Sequence, residues 1–151
     1  MSGLSLDRVG IRMLGLHNAI YQKTGGWIGH RMPGMPPNLL LHTTGAKSGQ
    51  PRTTSLTYAR DGDSYLIVAS NAGAKRYPGW YHNLRKRPDG DINVGPRRIA
   101  VTARPVGPDD SDYARLWELV NKNNADRYNS YQSRTSRPIP IFVLTPVKNA
   151  R

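Results

Sequence analysis

The sequence predicts a mainly β fold: a mostly antiparallel, barrel-like sheet with peripheral helices. Three observations support this class. Short β-like runs separated by glycine and proline turns fill most of the chain, helical patterns are few, and 151 residues suffice for one domain with a core. The strands are too short, and too rarely separated by helices, for a doubly wound parallel sheet. We therefore expect a single sheet domain preceded by a short N-terminal region.

Residues 1–37 are predicted to form an amphipathic helix and a connection to the sheet domain, which spans residues 38–151. Apolar residues recur at spacings of three and four until Gly25-Gly26: they are Leu6, Val9, Met13, Leu16 and Ile20. This basic helix can pack on the core or lie on a membrane surface with its cations at the headgroups, and the sequence leaves both open. Prolines and glycines then exclude a helix or an inner strand across residues 27–38.

Six runs of the sheet domain have the composition of strands. The second and third runs flank the turn Asp61-Gly62-Asp63, and the fourth and fifth flank Gly95-Pro96, so both pairs are predicted hairpins. The first three strands are expected to follow one another as a meander. The six predicted strands cover residues 39–44, 52–60, 64–70, 91–94, 97–106 and 139–144.

Two helices are predicted beside the sheet. Pro78 suits the first turn of a short helix that ends near Arg85-Lys86-Arg87, where cations interact favourably with the negative end of the helix dipole. Asp109 or Asp110 is predicted to cap a second helix. The inner face of this helix is expected to carry Tyr113, Leu116, Trp117 and Val120.

The chain is strongly basic and lacks cysteine. Its 22 Lys and Arg residues outnumber 10 Asp and Glu residues, and the formal charge of +12 indicates an anionic partner: nucleic acid, anionic lipid or a polyacidic small molecule. The absence of cysteine excludes disulfides, thiolate catalysis and cysteine-based metal sites. We find no signal-peptide pattern and no apolar run of about 18 residues, and we therefore expect a cytoplasmic protein.

Metal-dependent and hydrolytic chemistries find little support in the sequence. The histidines His17, His30, His42 and His82 lack the spacing and neighbouring carboxylates of metal sites. There is no Gly-x-Ser-x-Gly elbow for a hydrolase, and most acids occupy turns or a helix start rather than a glycosidase-like pair. We therefore expect neither a metal site nor a catalytic triad.

The segment around Gly45 and Gly49 is the strongest candidate for an anion-binding loop. The two glycines allow backbone N–H groups to point into one concavity, around which Lys47, Ser48 and Arg52 add charge and donors. The residue order differs from a P-loop, because Lys-Ser precedes the second glycine and a strand-like run follows. An ordinary β-hairpin turn with solvated polar residues is the alternative.

Aromatic side chains are candidates to wall a flat heterocycle. Trp80 and Tyr81 follow a second loop suited to anions, residues 70–76, and Tyr128 and Tyr131 stand three apart, hence on one side of a helical turn. Each could equally belong to the core or to an interface. Bases can also stack on such rings, but recognisable nucleic-acid motifs are missing, so we favour a small polyanionic cofactor over nucleic acid.

Four blocks in fixed order carry a family resemblance: residues 41–52, 66–73, 78–84, and 128–131 followed by 137–140. From about Leu39 to the C-terminus, the chain resembles the deazaflavin-dependent nitroreductases, small actinobacterial reductases that use coenzyme F420. The resemblance implies a split β-barrel similar to that of the FMN-binding flavoproteins. It also implies hydride transfer from a reduced deazaflavin, which the protein orients and shields from water. A cofactor with a phosphate and an oligoglutamate tail matches the charge of +12.

The resemblance also implies which residues form the cofactor site. The glycine loop and the strand after it would hold the phosphate and ribityl groups, residues 68–71 would line the ring, residues 79–83 would complete the pocket, and Tyr128 would cover the ring. The implied cofactor-binding residues are Ala46, Lys47, Ser48, Arg52, Thr53, Thr54, Ser55, Leu56, Thr57, Val68, Ala69, Ser70, Asn71, Gly79, Trp80, Tyr81, His82, Asn83 and Tyr128.

Four positions depart from the family pattern: Ala46 where a basic residue is common, Thr57 where a well-known nitroimidazole reductase has tyrosine, Asn71 in place of a lysine, and Ala125 within the tyrosine cluster. We therefore expect a small hydrophobic electron acceptor, a quinone or enone ahead of a nitro compound. Tyr128, Tyr131 and Ser70 are the candidates to steer this acceptor or to donate a proton.

Two alternatives remain open beside the reductase. The first is a split-barrel protein that binds FMN or haem. The second is a basic module that binds nucleic acid or an anionic membrane through the N-terminal helix and Arg85-Lys86-Arg87. For a reductase we expect no nucleic-acid partner, whereas peripheral contact with the inner face of the cell membrane is compatible, because a lipid-soluble quinone is met at the bilayer. The sequence leaves the oligomeric state open.

Overall fold

A computed structural model describes residues 36–147, so the predicted N-terminal helix, His17 and His30 lie outside the described residues. The strands are β1 Asn38–Thr44, β2 Pro51–Thr57, β3 Ala59–Asp61, β4 Ser64–Val68, β5 Asp89–Val94, β6 Arg97–Val106 and β7 Ile141–Pro146. The helices are α1 Gly79–Lys86, α2 Tyr113–Asn123 and α3 Arg127–Gln132, and a short 3-10 turn covers Asn71–Gly73. Within the described part of the chain, no helix combines the length and apolarity needed to cross a bilayer.

The seven strands form one sheet in the order β2-β1-β5-β6-β7-β4-β3. Every pair of neighbouring strands is antiparallel. The β5–β6 hairpin turns at Gly95, whose φ of 60° lies in the left-handed region that glycine adopts without strain. The predicted fold class, a mostly antiparallel sheet with peripheral helices, is confirmed.

The predicted strand over residues 52–60 is wrong, because the chain breaks it at Tyr58. The backbone N–H of Tyr58 donates to the carbonyl of Pro37 at 3.1 Å, and its ring packs edge-to-face on Tyr65 at 5.5 Å. β2 therefore pairs with β1, and β3 pairs with β4 at the opposite edge of the sheet. The predicted meander of the first three strands is also wrong, since β4 lies four strands away from β1.

Both predicted helices are present, but the second begins differently. α1 follows Pro78 as expected. α2 begins at Tyr113 after Asp112, and no side-chain hydrogen bond caps it. The carboxylate of Asp110 instead accepts the Asp112 backbone N–H at 2.9 Å, which closes a turn before the helix.

The buried side chains form two clusters. The first joins β1, β5 and β7 to α1, where Trp80 packs edge-to-face on the fully buried Phe142 at 5.5 Å between ring centroids. The second joins β4 and β7 to α2 and α3 through residues such as Leu116, Val120 and Tyr128. Full burial of one such side chain contributes about 1.5–3 kcal/mol. The two clusters fix α1 and α3 against different parts of the sheet.

Candidate active site

A cleft of about 860 Å³ lies where the glycine loop between β1 and β2 meets the segment from β4 to α1. Its lining residues come from these two stretches of chain, from β2 and from α1. They are Gly45, Ala46, Lys47, Ser48, Arg52, Thr53, Thr54, Ser55, Leu56, Val68, Ser70, Asn71, Arg76, Tyr77, Pro78, Gly79, Trp80, His82 and Asn83. This volume falls in the range typical of small-molecule and cofactor sites.

The first wall of the cleft is the glycine loop, which we define as residues 45–52. The N–H of Gly45 donates to the Gln50 carbonyl at 2.8 Å, and the N–H of Gly49 donates to the Gly45 carbonyl at 3.0 Å. Gly49 has φ of 69°, a conformation that glycine adopts without strain. A Cβ on Gly45 would stand 2.5 Å from the Ser48 hydroxyl and 3.3 Å from the Gln50 carbonyl oxygen, so any larger residue there would displace the Ser48 side chain.

Helix α1 holds this loop in place. The side-chain carbonyl of Asn83 accepts the Ala46 N–H at 2.8 Å, and its amide donates to the Thr43 hydroxyl at 3.1 Å. Lys86 donates to the Ala46 carbonyl at 2.7 Å, and Arg87 donates to the Gly45 carbonyl at 3.2 Å. Asn83, which was expected to contact the cofactor, lines the cleft, and its buried amide bonds both to the loop at Ala46 and to the end of β1 at Thr43.

The second wall is the segment of residues 69–77, which contains the 3-10 turn. Asn71, Ala72 and Gly73 all have positive φ, at 44°, 53° and 79°. The amide of Asn71 donates to the Arg76 carbonyl at 2.9 Å and closes the segment. The segment that supplies Ser70, Asn71, Arg76 and Tyr77 to the lining therefore contains a backbone conformation that is costly for Asn71 and Ala72, which are not glycines.

Cations and apolar side chains both line the cleft. Lys47, Arg52 and Arg76 line it, and none of the described lining residues is acidic. Leu56 and Val68 contribute apolar surface beside the ring of Trp80. The N-terminus of α1, which carries the positive end of a helix dipole, also opens on the cleft. This lining suits a ligand that carries both anionic groups and a flat, apolar part.

The structure brings together most, but not all, of the residues expected to bind a cofactor. The expected residues that line the cleft are Ala46, Lys47, Ser48, Arg52, Thr53, Thr54, Ser55, Leu56, Val68, Ser70, Asn71, Gly79, Trp80, His82 and Asn83. The other four expected cofactor-binding residues, Thr57, Ala69, Tyr81 and Tyr128, do not line it. Thr57 donates its hydroxyl to Asn38 at 3.0 Å, and Ala69 is fully buried.

Four lining residues lay outside the expectation: Gly45, Arg76, Tyr77 and Pro78. Gly45 belongs to the predicted anion-binding loop, and Pro78 belongs to the predicted start of the helix. Arg76 ends the loop of residues 70–76 that the sequence marks as suited to anions. Tyr77 stacks on Tyr81 with ring centroids 4.0 Å apart, a contact for which the sequence gives no signal.

The three expected catalytic side chains are not close neighbours in the cleft. Ser70 lines it, whereas Tyr128 and Tyr131 pack with Trp117 in the second core cluster. Burial raises the pKa of Tyr128 to about 12, which makes this phenol a poor proton donor at neutral pH. Tyr131 instead contacts the 3-10 turn, since a Cβ on Gly73 would stand 2.6 Å from the Tyr131 carbonyl oxygen.

A sequence profile of the F420H(2)-dependent quinone reductase family matches residues 13–146. The chain belongs to this family. Among its relatives, a Mycobacterium tuberculosis protein named F420H(2)-dependent quinone reductase is 71% identical over 137 residues, covering 91% of this chain and 92% of the relative. Family membership confirms the expected resemblance, the enzyme class of reductase and coenzyme F420 as the cofactor.

Solved structures agree with the fold of this quinone reductase family member. A structure described as an F420-H2 dependent reductase is 32% identical, with a TM-score of 0.63, and covers 72% of this chain and 93% of its own. HutZ, a haem storage protein from Vibrio cholerae, has a TM-score of 0.59 at 14% identity, covering 74% of this chain and 82% of its own. The second likeness shows the fold alone. The expected split β-barrel is thus confirmed.

Proposed function

We propose that this protein transfers a hydride from reduced F420 to a quinone, with the cofactor bound in the cleft between the two walls. One observation carries the proposal: a single cleft is lined by three cations, two from the first wall and one from the second, and by the apolar side chains of Leu56, Val68 and Trp80. This pairing matches a cofactor with a phosphate, a carboxylate tail and a flat ring. F420 supplies the hydride when bound, and the chain supplies binding, orientation and exclusion of water.

The residues present fit the anionic part of the cofactor. We assign the phosphate and the carboxylates to Lys47, Arg52 and Arg76, whose side chains are exposed at the cleft and free to form charge-assisted hydrogen bonds. The hydroxyl of Ser48 lies in the same loop and accepts the Gln50 N–H at 3.2 Å, so its own proton is available to an anion. The half-buried residues 53–55 line the next part of the cleft, beside the ribityl chain.

The apolar part of the cleft fits the ring and the acceptor. We place the deazaflavin ring against Leu56, Val68 and Trp80, where a low local dielectric favours a hydride transfer shielded from water. Ser70 is the expected catalytic residue that lines this part of the cleft, and we assign it the role of orienting or protonating the acceptor. Thr57, Ala69 and Tyr81 neighbour lining residues in the chain and would support them rather than touch the ligand.

Equilibrium titration tests the cofactor, and steady-state kinetics test the acceptor. We expect F420 to bind tightly by fluorescence while FMN binds at least tenfold more weakly. Reduced F420 should then be oxidised fastest with a quinone, more slowly with an enone, and slowest with a nitroimidazole. Tight FMN binding with no F420 binding would overturn the assignment of the cofactor, and a preference for nitroimidazoles would overturn that of the acceptor.

We also propose peripheral contact with an anionic membrane, where a lipid-soluble quinone would be encountered. The basic, amphipathic pattern of residues 1–25 supports it. Deletion of these residues should release the protein from liposomes containing anionic lipid while cofactor binding persists. Liposome binding that survives the deletion would exclude this segment as the anchor.

A further inference from the structure

Arg137 lies outside the cleft, yet it binds the backbone of the second wall at several points. Its guanidinium donates to the carbonyls of Ala74 at 2.8 Å, Ala69 at 3.1 Å and Ser70 at 2.7 Å. Longer bonds of 3.4 Å reach the carbonyls of Arg76 and Pro138. One planar side chain therefore forms hydrogen bonds to carbonyls at both ends of the segment of residues 69–77.

The segment that Arg137 binds contains the costly backbone. Ala72 has φ of 53° and ψ of 29°, a left-handed conformation that alanine rarely adopts. Such residues persist where the surrounding structure over-determines them. The carbonyls bound by Arg137 lie on both sides of the turn Asn71–Gly73, so the guanidinium fixes the two ends between which the turn must close.

A stack of side chains connects the same arginine to the cleft. The guanidinium carbon of Arg137 lies 4.4 Å from the ring centroid of Tyr77, which lines the cleft. Tyr77 stacks in turn on Tyr81 at 4.0 Å, with the two ring planes 11° apart. Tyr81 packs edge-to-face on the buried Phe142 at 5.7 Å. The stack anchors the wall to the core through Arg137 and Tyr77.

We propose that Arg137 is a positioning residue that holds the left-handed turn, and with it Ser70, Asn71, Arg76 and Tyr77, in the geometry that binds the cofactor. The proposal rests on the proposed function. Arginine is required because its planar fork reaches several carbonyls at once and stacks on an aromatic ring, whereas lysine is a point charge on a flexible stem. The positive charge alone does not perform this role.

Arg137→Lys tests the proposal, because it keeps the charge and removes the fork. We expect the Kd for F420 to rise at least tenfold, and the KM for reduced F420 to rise with it while kcat at saturation stays within about twofold. Binding is measured well below the unfolding midpoint on protein shown to be folded by circular dichroism. Arg98→Lys, the same exchange at an exposed arginine paired with Asp91, should leave the Kd unchanged.

Ala72→Gly tests whether Arg137→Lys weakens binding by releasing the strained turn or by a general loss of structure. Glycine adopts the left-handed conformation without strain. The Kd of the double variant should therefore be at least threefold lower than that of Arg137→Lys alone. Alone, it should change the Kd by less than twofold, because Arg137 already holds the turn. If Arg137→Lys by itself does not fold, the double variant compared with Ala72→Gly supplies the same measurement.

The outcomes distinguish this inference from the proposed function. Wild-type protein that does not bind F420 would overturn the proposed function itself. The positioning role would be overturned if Arg137→Lys had the same Kd for F420 as the wild-type protein. It would also be overturned if the variant lowered the unfolding midpoint without changing that Kd. Equal affinities for the single and double variants would show that the turn is not what Arg137 holds.

Discussion

The two walls of the cleft are held in their conformations by different means. The glycine loop is built from residues that suit its turn, and α1 binds it through Asn83, whose amide makes two hydrogen bonds. The second wall contains left-handed residues that do not suit their conformation, and Arg137, more than sixty residues away in the chain, holds it from outside. The first wall follows from local sequence, whereas the second depends on a tertiary contact.

This difference predicts how each wall fails. A substitution in the glycine loop should change a turn that is otherwise locally favourable, with effects limited to its own contacts. A substitution in the second wall should remove conditions that the strained turn needs, so the loss should spread to every residue of the segment. The predictions below break one wall at a time, from the largest expected effect to the smallest.

Gly73→Ala should have the largest effect on stability. Its φ of 79° disfavours any side chain, and the new Cβ would stand 2.6 Å from the Tyr131 carbonyl oxygen. Left-handed strain and the clash together should lower the free energy of unfolding by roughly 2–4 kcal/mol.

Gly62→Ala is the matched control, because Gly62 has φ of 60° with no heavy atom within 4 Å. It should cost about 1 kcal/mol in the same urea unfolding experiment. Equal losses at the two positions would remove the special status of the second wall.

Asn83→Ala breaks the anchor of the first wall. The Ala46 N–H and the Thr43 hydroxyl would lose a buried partner, so the free energy of unfolding should fall by about 1–3 kcal/mol. The Kd for F420 should also rise, because the loop is then free to move. Lys86→Ala removes one exposed contact to the Ala46 carbonyl and should cost less than about 1 kcal/mol. A larger loss from Lys86→Ala would place the anchor of the loop elsewhere on α1.

Lys47→Gln and Arg52→Gln remove the cations of the first wall without breaking it. Each should weaken F420 binding about tenfold at low salt, equal to about 1.4 kcal/mol, with thermal stability unchanged. The difference should shrink as salt rises, because exposed charges are screened. Lys122→Gln removes the same charge from α2, outside the cleft, and should leave binding unaltered. A comparable loss from Lys122→Gln would show that total charge, rather than the loop, attracts the cofactor.

Tyr128→Phe should have the smallest effect near neutral pH, because Tyr128 belongs to neither wall. Burial raises the pKa values of Tyr128 and Tyr113 to about 12, above the ordinary value of 10. Between pH 10 and 12 the unfolded chain loses these protons while the folded chain keeps them. The free energy of unfolding should therefore fall as pH rises through this window. Tyr128→Phe should make that fall shallower and leave F420 affinity unchanged. A large loss of affinity would return Tyr128 to the cofactor site.

The sequence predicts the locally determined parts of the molecule well. The start of α1 after Pro78, the turn at Gly95 and the glycine loop are marked by residues whose own conformational preferences decide the structure. The resemblance to the family supplied the cofactor and most of the cleft lining. These features needed no knowledge of distant contacts.

The remaining features depend on contacts that a single sequence does not display. Residues 52–60 read as one strand, and only the bond from Tyr58 to Pro37 and the pairing of β3 with β4 show where the run divides. Ala72 carries no signal for a left-handed conformation. Tyr128 resembles a cofactor contact in the family pattern, but packing on Trp117 places it in the core.

Amide hydrogen exchange with and without F420 tests most directly whether the cofactor binds between the two walls. We predict slower exchange, at least severalfold, in both the glycine loop and the segment of residues 69–77. The groove between α2 and α3, lined in part by Trp117, Asn121 and Asn129, should exchange at the same rate in both samples. Protection confined to one wall, or protection in the α2–α3 groove alone, would contradict the account.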